Sequence, residues 1–258
     1  IYGFPPLELI LFTLLGGTLL AVSANVLNQI FEIETDRLME RTANRPLVTG
    51  EINKKSAYVY SISLGLVGFL VLYTQTTELA AFIALFANIF YSFIYTLVLK
   101  PRTNQNIVIG GAAGAAPVLI GWSATGTNLD TGSWLLFLLV FLWTPAHFWA
   151  LSIDKLNDYK DANFPMLPTQ ESYKRTSIFI GIYSCATVLT SLLLAPILQL
   201  GMVYLLLSLI FGLYLMYKSY QLYRKQIKAI SYFVFSNTYL AVIFLSMVAD
   251  IFITLSSI

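Results

Sequence analysis

Asn28, Glu32 and Asp36 recur every four residues in NQIFEIETDRLMERTANRPLVTG, the stretch from Asn28 to Gly50. On a helix that spacing stacks three oxygen-bearing side chains into one stripe. Arg37, Arg41 and Arg45 repeat it one residue further on. An amide and two carboxylates are hard oxygen donors of the kind Mg²⁺ takes, and guanidinium groups beside them suit a polyanion bound with the ion. The alternative is a solvated loop stitched by i,i+4 ion pairs, as most charge runs are.

A second acidic set opens DKLNDYKDANFPMLPTQESYKR, residues 154–175, where Asp154, Asp158 and Asp161 fall at i, i+4 and i+7. If the preceding helix runs on through them, they share one face. His147, the only histidine, lies seven residues before Asp154 on that face. Two such stripes facing each other would hold Mg²⁺ and a diphosphate, with Arg and Lys covering the remaining charge. A diphosphate becomes a good leaving group once its charge is neutralised. If it departs from an allylic chain, the carbocation left behind needs a dry cavity with aromatic faces.

The elements that must position these residues are membrane helices. Of the 258 residues 57% are hydrophobic and 11% charged, against about 25% charged in a soluble domain. Apolar runs near twenty residues predict eight spans, at approximately 7–27, 57–75, 79–99, 106–124, 133–153, 174–195, 199–217 and 232–256. Continuous runs exclude a barrel, whose strands alternate. The short breaks at Thr76–Glu78 and Pro196–Gln199 make antiparallel pairs. The expectation is an all-α polytopic protein, an up-and-down bundle of about eight spanning helices forming a single domain over residues 1–258. The sole cysteine, Cys185, rules out an intrachain disulfide. Nothing in the charge pattern calls for nucleic acid.

The basic residues set the expected orientation. All 15 Lys and Arg fall in four alternate loops, 28–56, 100–105, 154–175 and 218–231, and the intervening loops hold none. By the positive-inside rule the basic loops, and with them both acidic stripes, face the cytoplasm or its organellar equivalent.

These residues carry a family resemblance. The chain resembles the UbiA superfamily of intramembrane prenyltransferases, and within it the heme branch, the protoheme IX farnesyltransferases or heme O synthases. Asn28-x3-Glu32-x3-Asp36 is similar to the superfamily's first Asp-rich motif, NDxxDxxxD, with Gln29 and Glu32 replacing its first two Asp. Residues 39–50 (MERTANRPLVTG), 95–122 (YTLVLKPRTNQNIVIGGAAGAAPVLIGW) and 143–168 (WTPAHFWALSI and NDYKDANFPMLP) are similar to heme-branch segments, in the same order.

The resemblance implies transfer of a farnesyl group from farnesyl diphosphate to a vinyl group of protoheme IX (heme b), giving heme O and diphosphate, with Mg²⁺ as cofactor. It implies that Asn28, Glu32 and Asp36 hold Mg²⁺, and that Asp158 and Tyr159 belong to the second motif. Asp154 fits the superfamily spacing as a further metal ligand, though the heme branch often has an apolar residue there. Arg37, Arg41, Arg45, Lys100, Arg102 and Lys155 become candidate diphosphate contacts, with His147 and Trp149 facing the porphyrin. His147 would contact heme, ligate its iron or hydrogen-bond a neighbouring helix. The family has nine spans, so a further helix is expected before Ile1. Implied partners are the lipid bilayer and, for the product, heme A synthase or a terminal oxidase under assembly. The implied location is the bacterial plasma membrane or the mitochondrial inner membrane, with the site facing cytoplasm or matrix.

Two other functions compete: an aromatic prenyltransferase of quinone biosynthesis and an ion-coupled transporter. No inverted pair of broken helices carries midplane charges, which counts against transport. Gly110-x3-Gly114 reads as a packing motif, Pro117 and Pro145 as helix kinks, Asp250 as an interfacial residue, and Lys218 to Lys228 as a lipid-facing basic anchor.

Overall fold

The computed structural model describes residues 5–256, which are helical with no strand among them. The long helices are α1 (Leu7–Phe31), α4 (Lys54–Gln75), α5 (Glu78–Leu99), α6 (Asn106–Ala124), α7 (Thr131–Asp154), α10 (Tyr173–Ile197), α11 (Met202–Tyr223) and α12 (Ala229–Ser256). Four short ones lie in the loops, α2 (Ile33–Asp36), α3 (Pro46–Thr49), α8 (Leu156–Asp161) and α9 (Leu167–Gln170). The eight long helices are the eight expected spans, so the chain is an integral membrane protein.

Local chemistry explains where they begin. Asn53 accepts from Ser56 N (2.8 Å) to cap α4, and Thr77 accepts from Ala80 N (3.1 Å) to cap α5. Asp130 and Ser133 cap each other's backbone at the start of α7, which satisfies amides that lipid could not. The two residues between α4 and α5 fold the chain back on itself.

The helices form two compact units. The first comprises residues 1–129 and 157–166, with α1, α4, α5 and α6 as its spans. Within it α1 lies against α4 over small residues. A Cβ on Gly68 would come 2.8 Å from Gly16 O, and one on Gly16 would come 2.9 Å from Gly68 O. Further along the same pair, Ser61 donates to Ser23 O at 2.9 Å. Without a hydrophobic drive between helices in lipid, such close backbone approach and a buried hydroxyl bond hold the pair. Tyr95 lies against Gly110, but nothing lies within 4 Å of a Cβ on Gly114, so only the first glycine of the expected packing motif packs closely.

The second unit comprises residues 130–156 and 167–258, with α7, α10, α11 and α12 packed in a ring. Buried Tyr204 and Tyr239 both bond Ser191, through its carbonyl (2.7 Å) and its hydroxyl (2.8 Å). Asp250 corrects the expectation of an interfacial residue. It is 3% exposed and accepts hydrogen bonds from Gly201 N and Tyr204 N, capping α11 from α12. Lys218 and Lys225 also differ from a purely lipid-facing anchor, since their ammonium groups lie over Tyr214 and Tyr173.

Candidate active site

Helix α1 carries Asn28 in its last turn and breaks at Glu32 (φ −104°, ψ 11°) before α2 resumes. The four-residue register survives the break, because Glu32 N bonds Asn28 O (3.0 Å) and Asp36 N bonds Glu32 O (2.7 Å). The three expected donors are therefore buried on successive turns, at 7%, 5% and 3% exposure. The arginine stripe does not survive. After Asp36 the chain turns, Thr42 Oγ1 donates to Asp36 O (2.8 Å), and the arginines leave the helical register. Arg37 is exposed and pairs with Glu34 (3.1 Å), and Arg41 is exposed. Arg45 returns to form an ion pair with Asp36.

The last turns of α5 complete the arrangement. From Phe90 to Leu99 this helix is wound as a π-helix, an uncommon form often found at functional sites. Thr96 Oγ1 donates to Tyr91 O, five residues back (2.9 Å), and accepts from Asn28 Nδ2 (3.1 Å). Just beyond, Lys100 Nζ sits 2.6 Å from the Glu32 carboxylate and 4.5 Å from the centre of the Phe164 ring. Asn106, fully buried, donates to Lys100 O (3.4 Å). Arg102 is exposed.

Phe164 comes from the second motif. Asp158 and Tyr159 lie on α8, which does not continue α7: the backbone breaks at Lys155 (φ −103°, ψ 33°). Asp154, Asp158 and Asp161 thus do not share one unbroken helical face. Asp158 is half-buried, and Tyr159 is buried with Met39, Ile107, Ala162, Phe164 and Met166. The segment 157–166 accordingly belongs to the same compact unit as Asn28, Glu32 and Asp36. Asp154 ends α7 in the second unit, exposed, with Lys155 Nζ 3.5 Å from it.

Glu32 and Asp36, with the Asn28 amide, are a donor set that fits Mg²⁺, which keeps part of its water shell and needs few protein oxygens. The Glu32 carboxylate is enclosed, with the Lys100 ammonium 2.6 Å from it. Among the described residues no group of three or more His, Cys, Asp or Glu is gathered for a metal. The stripe instead holds internal cations, Lys100 on Glu32 and Arg45 on Asp36. A buried carboxylate demands such a partner. Sequence reasoning named both cations as diphosphate contacts but missed Thr96 and Phe164, whose only signal is the quoted motif in which each stands.

In the second unit His147 is 5% exposed, with Nδ1 2.7 Å from Ser236 Oγ. Its ring is stacked on Trp143 and Phe233, with centroids 4.2 and 4.1 Å away. Of its three expected roles, the hydrogen bond to a neighbouring helix is present. Trp149 is buried, edge-on to Phe179 and Tyr183, and its Nε1 is enclosed without a partner.

A family model for the UbiA prenyltransferase family matches residues 1–248. The chain belongs to that family. A relative in Clavibacter sepedonicus named protoheme IX farnesyltransferase is 42% identical over 253 residues, covering 96% of this chain and 83% of its own length. One of that name in Thermus thermophilus is 42% identical over 250 residues, covering 96% of this chain but 41% of its own length, so the chain spans about two-fifths of the Thermus protein. Solved structures share the UbiA fold. One of digeranylgeranylglyceryl phosphate synthase aligns with TM-score 0.76 at 23% identity, covering 93% of this chain and 84% of that one. A UbiA homolog from Archaeoglobus fulgidus bound to GPP and Mg²⁺ aligns with TM-score 0.65 at 17% identity, covering 93% and 88%.

Proposed function

We propose that this UbiA-family chain transfers a farnesyl group from farnesyl diphosphate to a vinyl carbon of protoheme IX, giving heme O and diphosphate. The observation that carries the reading is the buried Asn28–Glu32–Asp36 register with Lys100 and Arg45 on its carboxylates. It supplies hard oxygen donors and two cations in one unit, the complement of a metal-bound diphosphate. The heme acceptor is supported by relatives at 42% identity that bear the name protoheme IX farnesyltransferase.

Mg²⁺, when bound by Asn28, Glu32 and Asp36, supplies Lewis-acid neutralisation of the leaving group. Lys100 and Arg45 pair with phosphate oxygens as the allylic C–O bond breaks and its electron pair leaves with diphosphate. Asp158 on α8 supplies a further carboxylate, and Tyr159 with Phe164 and Met166 forms apolar wall that keeps water from the cation. The vinyl π electrons form the new C–C bond. Water then adds to the cation beside the porphyrin and loses a proton, leaving the hydroxyethylfarnesyl group. In this reading the polypeptide acts as one prenyltransferase domain in a bacterial plasma membrane, its basic loops face the cytoplasm, and its product passes to heme A synthase or an oxidase under assembly.

The test is turnover by purified protein with Mg²⁺ and farnesyl diphosphate, read by mass spectrometry. Protoheme should become a heavier, more apolar heme while 4-hydroxybenzoate stays unmodified. Prenylated hydroxybenzoate with untouched protoheme would replace the heme reading by the quinone one, and loss of both products would remove the transferase reading.

A further inference from the structure

The geometry points to Phe164 as a positioning residue whose ring holds the Lys100 ammonium ready for a metal-bound diphosphate once Glu32 serves the metal, a role that rests on the prenyl-transfer reading above. Lys100 is rooted through its backbone: its N–H donates to Tyr95 O (2.8 Å), and its carbonyl accepts from Asn106 Nδ2 (3.4 Å). The side chain therefore swings from a fixed base. Among the described residues two groups meet its ammonium. One is the Glu32 carboxylate at 2.6 Å, and the other is the Phe164 ring, whose centre is 4.5 Å away.

The chain around Phe164 aims that ring. Asn163 lies at φ 53°, in the left-handed region that asparagine tolerates better than most side chains. From there Asn163 N bonds Lys160 O and Phe164 N bonds Tyr159 O, both at 3.0 Å. These two bonds end α8 in a Schellman turn, with Asn163 at the position usually held by glycine. Pro165 follows and keeps the residue before it out of the helical region. The ring is 6% exposed and packs with Met39, Ile107, Tyr159 and Met166. Its place is set before any ligand arrives.

The two partners of Lys100 attract it by different means. The carboxylate is charged and closer, so it dominates while no metal is bound. A carboxylate that gives its lone pairs to Mg²⁺ has less to offer the ammonium. The attraction of the ring comes from its quadrupole, which that change leaves intact and which counts for more out of water. A ring face also brings no second negative charge to compete with phosphate oxygens. Packing alone would need the bulk of Phe164 and not its electrons.

Fluorination separates the two, since it drains the ring face and nearly keeps the outline. Phe164 is replaced in the full chain, in nanodiscs, by mono-, tri- and pentafluorophenylalanine. Inorganic diphosphate binding with Mg²⁺ is read by calorimetry, beside KM and kcat for farnesyl diphosphate. Affinity should fall stepwise, by about 10-fold at the pentafluoro end, and KM should rise in step. Metal-free thermal midpoints should stay together, because Glu32 then holds the ammonium. Asn163→Val, which resists the left-handed backbone, should weaken diphosphate binding as well, and Asn163→Gly should restore it. Pentafluorophenylalanine binding diphosphate as tightly as phenylalanine would overturn the role of the ring. So would metal-free midpoints that fall in parallel with affinity, which would make the ring structural. Asn163→Val with wild-type affinity would overturn the aiming by the turn. Wild type that binds no diphosphate with Mg²⁺ would overturn this inference and the metal–diphosphate site together. A stepwise fall in protein that leaves protoheme unmodified would uphold the role of Phe164 and remove only the heme acceptor.

Discussion

Lys100→Met cuts the Lys100–Glu32 ion pair at the end most sensitive to it. Lys100 Nζ lies 2.6 Å from the carboxylate, with side-chain exposures of 16% for the lysine and 6% for the glutamate. At an effective dielectric constant of about 20, opposite charges at 2.6 Å attract by about 6 kcal/mol. Much of that is offset by taking both groups out of water, so the pair itself adds little net stability. Removing one member is different, because Glu32 would be left buried, charged and alone. That costs about 3–5 kcal/mol, a fall in thermal midpoint on the order of 10 °C for a chain of this size. Methionine retains the apolar stem against Phe164, so the loss reports charge rather than packing. The variant should also bind Mn²⁺, used as a probe of the Mg²⁺ site, more tightly than wild type in the absence of diphosphate, since Glu32 no longer has an internal competitor. Mn²⁺ should therefore raise the midpoint of Lys100→Met more than that of wild type. Glu32→Gln combined with Lys100→Met should be more stable than Lys100→Met alone, as expected for coupled neighbours. Unfolding of Lys100→Met at the wild-type midpoint, with no gain in Mn²⁺ affinity, would refute the reasoning and leave the pair a solvated contact.

Asp36→Asn keeps the side-chain volume and removes the charge that Arg45 neutralises. Turnover should fall by orders of magnitude while the thermal midpoint shifts little, because Arg45 retains access to solvent; near-normal turnover at limiting Mg²⁺ would remove Asp36 from the metal set. Gly68→Ala places a methyl 2.8 Å from Gly16 O. It should destabilise the chain by about 1–3 kcal/mol and lower activity as well, since α1 carries the donor stripe, and an unchanged midpoint would show that α1 and α4 do not meet there. For orientation, Cys185 is exposed, so a Cys185→Ser background is required. In it a cysteine at Asn128 should react with an impermeant thiol reagent added from outside and one at Asn53 should not, and labelling of both from one face would contradict the topology.

The spans are legible because a membrane helix announces itself by apolar length, which needs no knowledge of its neighbours. Their ends are less so. Apolar length puts the seventh at 199–217, but it runs Met202–Tyr223: its start is set by the Asp250 cap donated from α12, and its last turns, carrying Lys218 and Tyr220, are too polar to count as an apolar run. The first acidic stripe is legible because four-residue spacing is a local property, and the backbone bonds at Glu32 and Asp36 preserve it through a break. The second fails on the same logic. No Gly or Pro marks Lys155, so the turn between α7 and α8 leaves no sign in the residues around it. What local spacing cannot supply is the pairing of charges. Lys100 is 68 positions from Glu32, and the i,i+4 rule offers Glu32 only Asn28 and Asp36, neither of them a cation. The π-wound end of α5 decides otherwise, setting Thr96 on Asn28 and Lys100 on Glu32. A buried charge must find a partner; Asp36 finds Arg45 nine residues along its own loop, whereas the partner of Glu32 is the lysine that also rests on Phe164 of the second motif. The Lys100 ammonium group thus touches both the donor stripe, at Glu32, and the second motif, at Phe164, which is why truncating Lys100 tests the site more severely than truncating any arginine that spacing alone singles out.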